Sequence, residues 1–111
     1  MNNLLPQPNA TAITVQGILH ALSDPTRMAI FSSLQEADAP CNCSAFLKVD
    51  QKAIPKSTLS QHFKILREAG LITSEKRGVE VINRSRCDDL KDTWGPMIQA
   101  IITAYVRQLT S

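Results

Sequence analysis

Residues 55–72, PKSTLSQHFKILREAGLI, leave the chain little choice of conformation. Leu59, Phe63 and Leu66 recur at helical spacing, and a rotation of about 100° per residue gathers them in a narrow apolar arc. Ser57, Gln61 and Lys64 fall on the opposite side. Gly70 suits the left-handed position just past a helix end, and Leu71-Ile72 opens an extended run. The spacing predicts a helix over residues 55–70 with an oily back. Its front carries Ser57, Thr58, Ser60, Gln61 and His62 between Lys56 and Lys64. A helix that only had to pack could be plainer.

The rest of the chain falls into order around that helix. Val15, Ile18, Leu19 and Leu22 mark a first helix over roughly residues 13–22. Ser23-Asp24-Pro25-Thr26 breaks it and restarts the chain, with Asp24 as cap and Pro25 at the first helical position, where a missing N–H costs nothing. The second helix, TRMAIFSSLQEA, places Ile30, Phe31 and Leu34 on a buried stripe. CNCSAFLKV, after Pro40, reads as a short third helix with Ser44 a possible cap. Beyond Leu71, ITSEK and VEVINRS about a turn at Arg77-Gly78 read as a β-hairpin with a basic tip. A last amphipathic stretch runs from Leu90 through Trp94 to Leu109, with a kink or a fresh start expected at Gly95-Pro96 because proline is costly in mid-helix. The expected fold is mainly α with a small β-hairpin, in the order α-α-α-α-β-β-α. A short helix, a tight connection and a polar-fronted helix form a helix-turn-helix, and the basic hairpin makes it winged.

The chain has 111 residues and is expected to form a single domain over 13–111, preceded by a flexible arm over 1–12 rich in Pro, Asn and Gln. No apolar run approaches the roughly 18–20 residues a membrane span needs, and MNNLLPQPNATAI has neither the basic flank nor the apolar core of a signal peptide. Three cysteines, two separated by one residue, make a poor disulfide framework, so a reducing cytoplasm is expected. The net charge of +2 is unevenly spread: residues 52–86 carry eight Lys and Arg against three Glu, a balance of +5, and the flanks carry −3. Such asymmetry points to a polyanion-facing surface, although a solvated basic face is the plainer alternative.

The major groove of B-DNA admits one α-helix and presents distinct donor and acceptor patterns at its base edges. Reading them takes hydroxyls and amides on the exposed face near a helix N-terminus. Ser57, Thr58 and Gln61 are side chains of that kind, with Lys56 and Lys64 placed to anchor phosphates. Ser60 and His62 flank the reading face, where phosphate contact or packing is as reasonable as base contact. The wing tip at Lys76-Arg77-Gly78 would reach an adjacent minor groove or the backbone. Double-stranded DNA is the partner this pattern predicts.

Two stretches, HALSDPTRMAIFSSL at 20–34 and STLSQHFKILREAGLI at 57–72, resemble the second-helix signature and the recognition helix of the ArsR/SmtB family of bacterial winged-helix transcriptional repressors. GVEVINRS at 78–85 is more loosely similar to the second wing strand, and the likeness runs over about residues 13–109. It implies a homodimer on a palindromic operator, released by an effector, with Ser57, Thr58, Ser60, Gln61 and His62 in the reading segment and Arg77-Gly78 at the wing tip. The sequence independently suggests dimerisation through the terminal helices, because a core built from residues 24–86 leaves their apolar faces short of partners. Ile18, Leu22, Trp94, Met97, Ile98, Ile101 and Tyr105 are the candidates for a two-fold interface; the alternative is that they close the monomer core.

The effector is less legible. Cys41-Asn42-Cys43 resembles the family's thiolate pair, and thiolates so spaced can share a soft metal or metalloid. Cys41, however, lies 21 residues before His62, farther than the metal-sensing pattern implies. Residues 88–111 hold no His and no Glu, only Asp88, Asp89 and Asp92, so a site on paired last helices is not expected. Cys41 and Cys43 are therefore first read as packing residues, then as a soft-metal or thiol-redox switch. Cys87 is the one further thiol. His20 and His62 read as a packing and a DNA-side residue, and no resident cofactor is expected. An enzyme is disfavoured because no orienting group or glycine-rich loop accompanies a Cys–His pair. A winged-helix module that binds proteins rather than DNA is the remaining rival.

Overall fold

The structure, a computed structural model, describes residues 4–36, 41–42, 48–49 and 52–110. Helix α1 (Val15–Leu22) begins where Thr14 Oγ1 accepts the Gly17 N–H at 3.0 Å. Helix α2 (Pro25–Glu36) begins where an Asp24 carboxylate oxygen accepts the N–H groups of Thr26 at 2.9 Å and Arg27 at 3.1 Å. Asp24 and Pro25 thus start the helix as their chemistry predicts: a carboxylate for orphan donors and a residue that lacks one. Ile30, Phe31 and Leu34 form its buried stripe.

Helix α3 (Lys56–Glu68) ends in a full Schellman motif. The Gly70 N–H donates to the Arg67 carbonyl at 3.0 Å and the Leu71 N–H to the Leu66 carbonyl at 3.1 Å, with Gly70 at φ +88°. The chain then enters the wing, strands β4 (Ile72–Arg77) and β5 (Glu80–Ser85), paired antiparallel from Ile72↔Ser85 to Arg77↔Glu80. The two-residue turn is Gly78-Val79, one residue later than expected, with Gly78 at φ +60°. A glycine at the first central position gives the turn a twist that matches the flanking strands.

The short helix expected over CNCSAFLKV is not what the described parts of that stretch form. Cys41–Asn42 is strand β1, paired antiparallel with β5 through Cys41↔Asn83 and Asn42↔Ile82. Lys48–Val49 (β2) pairs with Lys52–Ala53 (β3), and residues 43–47, with Cys43 and Ser44, lie outside the described residues. A helix of two turns is marginal by itself, whereas β5 offers an open edge whose N–H and C=O groups need partners.

The other edge of the wing is met from the N-terminus. Residues 4–5 meet β4: the Leu5 N–H donates to the Ser74 carbonyl at 2.8 Å and Leu4 bridges to Glu75. Arg86, only 7% exposed, donates from Nη1 to the Pro8 carbonyl at 2.8 Å. After a short helix α4 (Cys87–Leu90), α5 (Gly95–Thr110) starts afresh at Gly95, which places Pro96 in the first turn, where proline is tolerated. One cluster from α1, α2, α3, β4, α4 and α5 forms the core, with Ile18, Phe31, Phe63, Leu66, Ile72 and Ile98 at its centre.

Candidate nucleic-acid interface

Helix α3 is held by its back. Leu59, Phe63 and Leu66 are 2%, 2% and 0% exposed, while Lys56, Ser57, Thr58, Ser60, Gln61 and Lys64 all lie exposed. Ser57, Gln61 and Lys64 fall within an arc of about 60° at helical rotation, directly away from the core. Pro55 caps the N-terminus without a side-chain hydrogen bond, and the first turn holds no acidic residue. The outer face therefore offers hydroxyls, an amide, two ammonium groups and the free N–H groups of the first turn, a set suited to base edges and phosphates.

His62 departs from the expected front. It is half-buried and turned toward α2, with Nδ1 3.4 Å from Arg27 Nη1. A guanidinium can only donate, so Nδ1 accepts and the imidazole proton sits on Nε2. Arg27 itself, 8% exposed, donates from Nε to the Ala21 carbonyl at 2.7 Å and from Nη2 to the His20 carbonyl at 3.2 Å. It closes the last turn of α1 with a cation placed at the negative end of the helix. Sequence reasoning missed Arg27, although its place on the stripe of Ile30, Phe31 and Leu34 was a legible oddity. His20, expected to pack, is exposed and contributes its carbonyl instead.

Arg67, in the last turn of α3, reaches the wing: Nη1 donates to Ser74 Oγ at 3.3 Å, and Ser74 Oγ donates to Asn83 Oδ1 at 2.7 Å. Ser74 and Asn83 face each other across β4 and β5 and have no exposure. At the wing tip, alternation along a strand separates the two basic residues that sequence had grouped. Lys76 shares the face of Ser74, while Arg77 points to the other face and forms an ion pair with Glu75 at 3.2 Å. Arg84 is a further exposed cation of the wing, on the face of Arg77, and Val79 stands fully exposed at the tip.

The proposed dimer residues divide in the same way. Ile18, Leu22 and Ile98 are 0%, 6% and 0% exposed and are spent in the core of the single chain; Trp94, Met97, Ile101 and Tyr105 are half-buried. Val15 and Leu19 on α1, with Val106 and Leu109 on α5, are the large apolar side chains left exposed on the terminal helices. Cys41 lies on the wing sheet opposite Asn83, Cys43 is outside the described residues, and Cys87 is a free, half-buried thiol. Among the described residues no three His, Cys, Asp or Glu side chains gather where a metal ion could be held, and no helix is long and apolar enough to cross a membrane.

A helix seated by its apolar back, uncapped and polar in front, and tied at its far end to a β-hairpin defines a winged helix-turn-helix protein. Residues 22–75 match a family model described as a helix-turn-helix domain. The transcriptional repressor SmtB of Mycobacterium tuberculosis is 38% identical over 79 residues, 71% of this chain, and the chain spans 56% of that repressor's length. An uncharacterized regulator of Methanocaldococcus jannaschii is 36% identical over 61 residues, 55% of this chain and 65% of its own. Among solved structures, an ArsR family transcriptional regulator superposes with a TM-score of 0.61 at 21% identity, over 87% of this chain and 97% of the other. An ArsR-like regulator from Rhodococcus sp. RHA1 gives 0.56 at 25%, over 86% and 85%. In sequence the chain is similar to helix-turn-helix transcriptional regulators, and in fold to regulators of the ArsR family.

Proposed function

We propose that this protein binds double-stranded DNA as a homodimer and regulates transcription, as a repressor released by an effector. The observation that carries the reading is the exposed arc of Ser57, Gln61 and Lys64 over the buried Leu59, Phe63 and Leu66. In the major groove, Ser57 and Gln61 would read base edges, and Lys56, Lys64 and the first-turn N–H groups would bind phosphates. Thr58 and Ser60 sit on the two flanks. At the wing tip Lys76 would follow the backbone, since Arg77 is already engaged by Glu75, and Arg84 is a further exposed cation of the wing. A second copy would cover Val15, Leu19 and Val106, together with the half-buried Met97 and Ile101, and would set two α3 helices on successive turns of a repeated half-site. A role on chromosomal DNA would put the protein in the cytoplasm.

The test is fluorescence anisotropy with duplexes from the gene's own upstream region and with scrambled duplexes, across a salt series. Tight binding to one upstream duplex should weaken steeply as salt rises, because bound phosphates release counterions. Sedimentation should show a dimer that Leu19→Glu with Val106→Glu converts to monomer. An equal, salt-independent affinity for every duplex would refute the DNA reading and leave the protein-binding rival.

A further inference from the structure

One cleft is not absorbed by the reading face. It lies between the Thr58–His62 flank of α3, the start of α2 and the last turns of α5, and has a volume of about 690 Å³. That is within the range of roughly 300–1,000 Å³ typical of small-molecule sites. Leu22, Met28, Ala29, Ile54, Pro55 and Leu109 supply its apolar wall. Its polar residues are Ser23, Thr26, Thr58 and Tyr105 with their hydroxyls, Gln108 with its amide and His62 with its imidazole. We propose that this cleft is an effector site for a small uncharged molecule with an apolar body and a hydrogen-bond-accepting oxygen.

The lining chemistry selects that class. Among the described residues no Asp, Glu, Lys or Arg lines the cleft, so an ionised ligand would lose its hydration with no counter-charge from them to replace it. Arg27, whose guanidinium meets His62, is committed to the His20 and Ala21 carbonyls. Because Arg27 occupies Nδ1 of His62, the imidazole keeps its Nε2–H as a donor, and the hydroxyls of Thr26, Thr58 and Tyr105 add donors beside it, while Ser23 Oγ donates to the His20 carbonyl. Among the described lining residues His62 is the one strong metal ligand, which does not favour a metal ion there.

The position gives the site a consequence. Thr58 and His62 each follow directly after a residue of the reading arc, Ser57 and Gln61, while Tyr105, Gln108 and Leu109 belong to the helix proposed to set dimer geometry. A molecule wedged between them would alter the placement of α3 relative to α5. This part rests on the DNA reading above. Ligand and duplex would then change each other's affinity by the same factor.

The experiment uses the intact protein and prodan, an uncharged naphthalene ketone whose fluorescence reports an apolar environment. Saturable binding at a single site per chain is expected without DNA. Ala29→Phe should weaken it by about tenfold or more, and Ala29→Leu, which fills less space and keeps the fold if phenylalanine does not, by a smaller factor. Val79→Ser, at the exposed tip of the wing and outside the cleft, should leave it unchanged. Saturating prodan should shift duplex affinity by about fivefold or more. Absence of saturable binding, or binding lost with Val79→Ser but kept in both Ala29 variants, would overturn the site. Prodan bound in the cleft with duplex affinity unchanged would overturn its effector role. A protein that binds prodan but no duplex would refute the DNA reading, and the regulatory role with it, while leaving the site standing.

Discussion

The hydroxyl of Ser74 donates to the side-chain carbonyl of Asn83 at 2.7 Å across the wing, and neither residue has any exposure. With Arg67 donating to the same hydroxyl, this buried pair joins the last turn of α3 to the hairpin. Asn83→Ala is expected to cost about 1–3 kcal/mol, the penalty for leaving a buried hydroxyl without its acceptor. Urea denaturation measures it. An unchanged midpoint would show that the pair holds nothing together.

Arg27 acts at the opposite end of the helical layer. Arg27→Met removes a cation donating to two carbonyls at the end of α1 and should cost about 1.5–3 kcal/mol. Arg27→Lys should recover less than half of that, because a point charge cannot reproduce the planar fork. Near-complete rescue by lysine would mean that charge alone matters there.

Gly70 is strained for any other residue. At φ +88° an alanine would occupy a disfavoured conformation, and its Cβ would come 2.5 Å from two Ile13 side-chain carbons. Gly70→Ala should destabilise by more than about 1 kcal/mol. Adding Ile13→Ala should relieve the crowding and leave the backbone strain, so the double variant should lose less than the two single losses added together. Strict additivity in thermal unfolding would argue against the contact.

Two substitutions on the outer face of α3 separate reading from anchoring. Gln61→Ala should lose about 1–3 kcal/mol of discrimination between matched and mismatched duplexes, whereas Lys64→Ala should weaken all duplexes alike and lower the salt slope by about one. Parallel anisotropy titrations check both. If Gln61→Ala preserved the wild-type ranking of duplexes, its assignment to base reading would fall.

Much of this molecule could be read along the chain because the relevant physics is local. Asp24-Pro25 starting α2, Gly70 ending α3, the arc of Leu59, Phe63 and Leu66, and a fresh helix at Gly95-Pro96 all follow from caps, periodicity and backbone limits within a few residues. What could not be read there depends on neighbours distant in sequence. Cys41-Asn42 joins the wing because β5 has an open edge, and residues 4–5 meet β4 for the same reason. His62 leaves the polar front because a guanidinium 35 residues away approaches its ring, and Ile18, Leu22 and Ile98 vanish into the core because three helices close over them. A helical period tells which side of a helix is oily. It does not tell whether the oil is covered by the same chain or by a second copy, since that depends on how much apolar surface the remaining elements have left to offer.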